Sequence, residues 1–262
     1  MDDIHQTKDM EQSATESSRQ LYSPIVELRQ YTVHSGQREA LIELFERVFI
    51  EAQEAVGATV IGQFRELEDP NRFVWLRGFP DMDKRLAALQ GFYGGPVWQE
   101  NRAAANALLV DSDNVLLLRP ARPTSGFLLD RSLRPPHGAQ AVPPGLIVAT
   151  ILPFDTPPPT DFLDFFERTL APALTRSGAA ILSSFVTEES TNTFPALPVR
   201  EGEHVFVWFS SFRDQAAYDE HLAVLAEKEQ WHDQIWEPTM HRLKAAPEIL
   251  KLAPTARSLV QR

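Results

Sequence analysis

The 262-residue chain contains no cysteine, which excludes disulfide bonds, a thiol nucleophile and a thiolate metal site. This absence fits a reducing compartment, and we expect the protein to be cytoplasmic. No apolar run approaches the roughly 18 residues that a membrane-spanning helix needs. Basic residues are few, with 25 Lys and Arg against 36 Asp and Glu and a net charge of −11. We therefore expect neither membrane insertion nor a nucleic-acid partner, which would require a clustered basic face.

Two segments have the composition of unstructured or connecting chain. Residues 1–22 are polar and mixed in charge, without the apolar stretch of a signal peptide, and predict a disordered tail. Residues 121–145 are rich in proline and glycine and predict a linker, within which Phe127, Leu128 and Leu129 are expected to dock onto one of the flanking domains. The remaining segments, 23–120 and 146–255, are each long enough for a small domain.

These two segments are related to each other. FVWLRGFPD at 73–81 resembles FVWFSSFRD at 206–214, at an offset of 133 residues, while LFER at 44–47 resembles FFER at 165–168, at an offset of 121. The offsets differ by 12, so one insertion lies between the two matches, in the polar segment 188–203. The chain is therefore predicted to be a tandem duplication whose second copy has a lengthened loop.

Each copy alternates elements in the same order. A strand rich in β-branched residues precedes a helix, two strands, a broken helix and a last strand, the β-α-β-β-α-β order of a ferredoxin-like unit in the α+β class. Such a unit covers one face of its sheet with helices and leaves the other bare. We expect the two bare faces to pack sheet to sheet, as an eight-stranded barrel with an internal cavity formed within one chain.

Alternation along the first strand divides its side chains between the two sheet faces. Val26 and Leu28 point to one face, and Glu27, Arg29 and Tyr31 point to the other. We expect the aliphatic set to meet the helices and the charged and aromatic set to line the barrel cavity.

The first copy resembles a known family. The stretches IVELRQYTVHSGQREALIELF and FVWLRGFPDMDKRLAALQGFYGGPVWQENR, with the ELR-x-Y pattern at residues 27–31 and tryptophans at 75 and 98, are similar to the NIPSNAP family of the dimeric α/β-barrel superfamily. The resemblance implies the barrel fold, which many relatives build as dimers, but it names no reaction. It also implies two further roles known among relatives, adaptor function and, in some barrels, haem binding through a helix histidine.

Charged residues of the first strand and of the strand at 72–79 are the strongest site candidates. Burying a guanidinium is costly unless it is paired. Glu27 could pair with Arg29 or Arg77, leaving the other arginine to hold an anionic or carbonyl oxygen. Tyr31 could donate to a substrate oxygen or relay a proton. We predict these four residues as catalytic candidates, with a structural salt bridge as the alternative.

Aromatic residues could contact a flat ligand, although core packing is the alternative. The candidates are Phe73, Trp75, Tyr93, Trp98 and Trp208. The segment GFYGGP at 91–96 is predicted either as a flexible lip with Tyr93 at its tip or as a helix break. At the charged positions the second copy has Val148, Thr150, Leu152 and Ser210, which predicts a polar cavity in the first copy and an apolar one in the second.

Two histidines of the second copy remain open to another role. His221 and His232 lie 11 residues apart on one predicted helix, about 16 Å along its axis, which is too far to bind one metal ion. No metal-binding motif is visible, and no cofactor is predicted. The resemblance to haem-binding barrels implies that either histidine could ligate haem iron.

Three functions are consistent with these observations. The first is binding of a small, flat, oxygen-bearing or anionic organic molecule by a cofactor-independent enzyme for oxygenation, isomerisation or proton transfer. The second is a non-catalytic adaptor that uses the tail and segment 188–203 as contact surfaces. The third is a haem-binding barrel. Exposed edge strands could also support a homo-oligomer.

Overall fold

The computed structural model describes residues 20–228 and 231–261. The first unit begins after a two-residue strand and has a helix with a π-helical middle turn. Its elements are β1 (Gln20–Leu21), β2 (Ile25–Val33), α1 (Arg38–Leu44, Phe45–Phe49 and Ile50–Ala55), β3 (Thr59–Glu66), β4 (Arg72–Phe79), α2 (Met82–Gly94), α3 (Pro96–Leu108), β5 (Leu109–Asp111) and β6 (Val115–Pro120). Most of the predicted tail, residues 1–19, lies outside the described residues.

The second unit repeats this order, including the π-helical turn in its first helix. The linker contains a short strand, β7 (Leu129–Asp130), which is followed by a 3-10 turn at Arg131–Leu133. The elements of the second unit are β8 (Leu146–Phe154), α4 (Thr160–Phe165, Phe166–Leu170 and Ala171–Arg176), β9 (Ala180–Thr187), β10 (His204–Phe212), α5 (Gln215–Ala226), α6 (His232–Trp236 and Glu237–Met240) and β11 (Glu248–Pro254). No helix among the described residues is long and apolar enough to cross a membrane.

Within the described residues, eight antiparallel strands close into a barrel. Their order is β4-β3-β11-β8-β10-β9-β6-β2, and β2 pairs back with β4. The prediction of two ferredoxin-like units forming an intrachain α/β barrel is confirmed. The units join along their edge strands, where β6 pairs with β9 and β11 pairs with β3. Each of these eight strands therefore has a neighbour on both sides, while short β5 and the β1–β7 pair keep open edges. The homo-oligomer stays a prediction.

The assignment of the two sheet faces was wrong. The aliphatic set lines the barrel interior, where Val26, Leu28 and Val74 of the first unit form one core with Ile147 and Val207 of the second. The charged and aromatic set lies instead beneath the helices of the first unit, where Tyr31 and Trp75 pack with residues of α1. The physical reason is that both units share the interior, so it must be apolar on both sides to avoid burying unpaired charge.

The linker contributes to the barrel core. Phe127 is buried, with its ring centroid 5.4 Å from that of Phe185 and 5.1 Å from that of Phe209. Strand β7 pairs with β1, through Gln20 opposite Asp130. The predicted docking is confirmed for Phe127 and for Leu129, which packs against the same core, and is wrong for Leu128, which is 64% exposed.

Two helical predictions need correction. Segment 91–96 is not a flexible lip, because α2 continues to Gly94 and α3 begins at Pro96. The break itself was predicted, and it lies at Gly95, where a Cβ would come 2.6 Å from the carbonyl oxygen of Gly91. In the second unit, α5 ends at Ala226, so His221 and His232 do not share one continuous helix.

Candidate functional site

A single carboxylate at the centre of the first unit accepts hydrogen bonds from three arginines. Glu27 Oε2 accepts from Arg29 Nη1 and from Arg77 Nε, each at 2.7 Å, and Glu27 Oε1 accepts from Arg85 Nε at 2.7 Å. All four side chains are at most 1% exposed. We call these four residues the arginine cluster.

Strand register and helix phase bring the arginine cluster together. Glu27 and Arg77 are direct cross-strand partners on β2 and β4, and Arg29 is two residues along the same face of β2. Arg85 reaches Glu27 from α2, whose first turn is capped by the side chain of Asp81 accepting from Lys84 N at 2.6 Å. Sheet and helix therefore clamp the carboxylate from two sides.

The arginine cluster has more positive charge than it neutralises. Three guanidinium groups and one carboxylate leave a net charge of +2 in a fully buried position. Burial raises the pKa of the Glu27 carboxyl, but the charges of Arg77, Arg29 and Arg85 outweigh burial and hold the pKa well below its usual value. Glu27 is thus ionised at neutral pH, and its two oxygens are occupied. It serves as a counter-ion and is not placed to act as a proton acceptor.

Two polar side chains connect the arginine cluster to an adjoining cavity. Arg29 Nε donates to the Tyr31 hydroxyl at 2.9 Å, and Arg77 Nη1 donates to Gln53 Oε1 at 3.0 Å. Because each of these side chains accepts a hydrogen bond from an arginine through its oxygen, the Tyr31 O–H and the Gln53 amide N–H groups remain for another partner. Burial also raises the pKa of Tyr31 despite the charge of Arg29, so the phenol keeps its proton at neutral pH.

The cavity has a volume of about 350 Å³ and lies between the sheet and the helices of the first unit. Its walls are rich in aromatic residues, and among the described residues its lining includes no Asp, Glu, Lys, Arg or His. The lining includes Tyr31, Gln53, Trp75, Tyr93, Trp98 and Phe194. Three buried nitrogens have no hydrogen-bond partner in the described structure, Nε1 of Trp75 in the wall and Nη2 of Arg77 and of Arg85 in the arginine cluster. Such groups are costly to leave unpaired.

The structure brings together most of the predicted site residues, in a different arrangement. Tyr31, Trp75, Tyr93 and Trp98 line the cavity. Glu27, Arg29 and Arg77 form a layer behind that wall, so the arginine predicted to be free for a ligand is instead bonded to Glu27.

Two of the predicted ligand contacts are not at this cavity wall. Phe73 is fully buried, and its ring packs at 5.5 Å from Phe45 in the helix layer. Trp208 lies in the second unit, against Phe166. Phe73 therefore has a packing role, and Trp208 belongs to the second-unit counterpart of this site.

Sequence reasoning missed the residues that complete the site from the helices and from the inserted loop. Arg85 lies four residues before Leu89 and seven before Phe92, both buried, so its helical phase already indicates an inward side chain. Gln53 has the same kind of signal on α1, three residues after buried Ile50.

The insertion at 188–203 extends from the second unit to the first. Arg85 Nη1 donates to Asn192 Oδ1 at 3.0 Å, and Phe194 stacks on Tyr93 with centroids 5.9 Å apart. Nothing in the sequence indicated this reach, because the insertion has no counterpart in the first copy. The candidate site is therefore built by both units.

The equivalent position in the second unit has no charged network. By the offsets of the repeat, Glu27, Arg29, Gln53, Arg77 and Arg85 correspond to Val148, Thr150, Leu174, Ser210 and Tyr218. These residues line a second cavity of about 410 Å³ between sheet and helices. The predicted contrast holds for the buried charged network and not for the cavity walls, which are mainly apolar in both units. The network lies on the helix-covered face of the first sheet rather than inside the barrel.

One exposed group of side chains has ligand atoms close enough to hold a metal ion. His232, Asp233 and Glu237 present such atoms within 4.8 Å of one another on α6. All three are exposed, and exposed acidic groups are common without a bound ion.

The fold and the site define an α/β barrel of two ferredoxin-like units, with a buried arginine cluster behind the first-unit cavity. The NIPSNAP family model matches residues 26–123. The match spans 98 of the 262 residues, and it contains the arginine cluster and most of the residues that line the first cavity. No curated protein matches the chain at a significant level.

Solved structures share the whole architecture at low identity. A presumed monooxygenase from Fusobacterium nucleatum is 11% identical with a TM-score of 0.53, and covers 92% of this chain and 96% of its own. An anthrone oxidase-like protein is 12% identical with a TM-score of 0.55, covering 90% and 94%. A NIPSNAP-like domain protein from Burkholderia xenovorans is 28% identical over 45% of this chain and 91% of its own, with a TM-score of 0.33. The first two show the same fold.

Proposed function

We propose that the first-unit cavity binds a small, flat, oxygen-bearing organic anion and that the protein is a cofactor-independent enzyme acting on it. One observation carries this proposal. A buried cluster with a net charge of +2 lies behind an aromatic cavity, and Tyr31 and Gln53 in the cavity wall offer hydrogen-bond donors. An anion in that cavity offsets the excess positive charge and gives Tyr31 and Gln53 an acceptor.

The aromatic walls favour a ring-shaped ligand. Trp75, Tyr93, Trp98 and Phe194 line the cavity, and Tyr93 and Phe194 stack on each other. Ring faces and edges of this kind bind planar aromatic molecules well. The cavity volume of about 350 Å³ is at the lower end of ordinary ligand pockets. A hydroxyaromatic or enol-type molecule fits both the size and the donor groups.

The chemistry that such a site supports is stabilisation of an oxyanion. When a bound phenol or enol ionises, its O–H bond breaks, the electron pair stays on oxygen, and the proton passes to solvent, because no carboxylate or histidine lines the cavity. Tyr31, polarised by Arg29, and Gln53, polarised by Arg77, would hold the new charge. Oxygenation and isomerisation both start from an anion of this type, which agrees in kind with the oxidative enzyme names of two fold relatives.

A coloured phenol tests the proposal directly. We expect 4-nitrophenol to bind as the yellow phenolate and its apparent pKa to fall on binding, as measured by absorbance at a series of pH values. Tyr31→Phe should reduce the pKa shift and weaken binding about tenfold, because it removes one hydrogen bond to a charged group. The matched control is Tyr22→Phe, which removes a hydroxyl that lines neither cavity and should change neither quantity.

A second ligand separates charge recognition from shape. 4-Nitroanisole has the same ring but cannot ionise, and it should bind at least tenfold more weakly than 4-nitrophenol. Equal binding of the two ligands, or an unchanged probe pKa in a folded protein, contradicts the proposal. Circular dichroism and thermal unfolding establish that each variant is folded.

A further inference from the structure

The cavity of the second unit has a mainly apolar wall. Among the residues that the structure describes, its lining includes no Asp, Glu, Lys or Arg; its ionisable side chains besides Tyr218 are His221 and His232. Its aromatic rings are those of Trp208, Phe212, Tyr218, Trp231 and Trp236. Because a charged ligand would have no counter-ion here, the wall selects a neutral molecule.

One buried polar side chain in this wall has an unused acceptor. His221 is 4% exposed and lines the cavity. Its Nδ1 lies 2.9 Å from Ser177 Oγ and 3.1 Å from the Ser177 carbonyl oxygen. The Ser177 hydroxyl itself lies within hydrogen-bond distance of the carbonyl oxygens of Ala173 and Leu174.

These contacts determine the tautomer of His221. The single proton of the Ser177 hydroxyl goes to a carbonyl, and the Ser177 backbone oxygen can only accept, so Nδ1 must carry the imidazole proton. In the neutral ring Nε2 then has a lone pair, and it has no hydrogen-bond partner among the described residues. Burial lowers the pKa of His221, which is consistent with a neutral ring.

We propose that this cavity is a second ligand site, which takes a neutral aromatic molecule carrying one hydrogen-bond donor, a phenol O–H or a ring N–H, bound by His221 Nε2. The geometry makes it the complement of the first site. The first cavity offers donors backed by positive charge, and the second offers the buried His221 acceptor in a mainly apolar wall that also contains the hydroxyls of Thr150, Ser210 and Tyr218. The proposal stands independently of the function proposed for the first cavity.

Nitrogen NMR of His221 in the full-length protein tests this site without interference from the first cavity. With ¹⁵N-labelled histidine, we expect a free-state spectrum with the proton on Nδ1. Titration with 2-naphthol should shift the Nε2 signal, because the ligand O–H donates to it. Titration with 2-methoxynaphthalene, which lacks the donor, should move only the ring carbon-bound protons. The affinity for 2-naphthol should be about five- to tenfold higher, the size expected for one buried hydrogen bond.

A variant supplies the calorimetric counterpart. His221→Phe keeps a ring against Phe212 and Tyr218 and removes the acceptor. It should bind both naphthalenes with the affinity that the parent shows for 2-methoxynaphthalene, whereas Tyr31→Phe in the first cavity should preserve the preference for 2-naphthol. The proposal would be overturned if Nε2 carried the proton in the free protein, if the parent bound both probes equally, or if it bound neither. It would also be overturned if the protein bound haem, with a Soret band that disappears in His221→Phe.

Discussion

Tyr93 and Phe194 stack with their ring planes 22° apart, although one ends a helix of the first unit and the other lies in the inserted loop of the second. The contact joins the loop to the wall of the first-unit cavity. It lies beside the bond from Arg85 to Asn192, so the loop contacts both the aromatic wall and the arginine cluster. The 12-residue difference between the copies therefore has a structural consequence at the candidate site.

Replacing Phe194 tests whether the inserted loop completes the cavity. Phe194→Ala should weaken 4-nitrophenol binding by a factor of about two to ten, because an aromatic pair contributes roughly 0.5–1.5 kcal/mol beyond burial. Binding is measured by the absorbance titration described above. The control Val142→Ala removes an exposed apolar side chain elsewhere and should leave binding unchanged. Unaltered affinity in Phe194→Ala would show that the loop does not contribute to ligand binding.

The central carboxylate should be far more important for stability than an exposed one. Glu27→Gln keeps the shape but leaves three buried arginines without a counter-charge, and we expect a loss of about 3–5 kcal/mol in the free energy of unfolding. Glu39→Gln breaks an ion pair with Arg65 at the surface, and should cost less than about 1 kcal/mol. Denaturant titration of both variants measures the difference. Similar losses would mean that Glu27 does not hold the arginine cluster together.

The duplication, the element order and the barrel were predictable because they depend on patterns within the chain. Constant offsets fix the repeat, and period-two alternation fixes which side chains share a face. Alternation does not say which face meets the helices. The repeat does distinguish the two faces, since the aliphatic set is kept in both copies, as in Val26 and Ile147, whereas the charged set is not. A surface shared by two units must be apolar in both, and that criterion assigns the faces correctly.

Contacts between the units could not be predicted in the same way. Asn192 and Phe194 lie in a segment with no repeat partner and no periodicity, and their position depends on how the barrel closes. Arg85 is different, because its helical phase with Leu89 and Phe92 predicts burial from sequence alone. Its partner Glu27 is 58 residues away, and only the closed fold brings the two together.

Adjacent residues in the linker should differ sharply in their effect on stability. Phe127 lies in the barrel core beside Phe185 and Phe209, while Leu128 is 64% exposed. Phe127→Ala should lower the free energy of unfolding by about 3–5 kcal/mol, and Leu128→Ala should change it by less than about 0.5 kcal/mol. Thermal and denaturant unfolding of the two variants checks this. Equal, small effects would show that the linker is not part of the core.

His221 should make the stability of the second unit depend on pH below neutrality. Burial holds its pKa below the usual 6.5 in the folded protein, with Lys228 as a further unfavourable charge, so protonation favours the unfolded chain. The contribution is fully present above pH 6.5 and is lost as the pH falls towards the folded-state pKa, with a limiting slope of about 1.4 kcal/mol per pH unit. Comparing the free energy of unfolding of the parent and His221→Phe between pH 8 and pH 5.5 isolates this residue, because the carboxylates are common to both. The parent should lose stability relative to the variant on acidification. Parallel curves would mean that His221 is charged, or fully hydrated, in the folded protein.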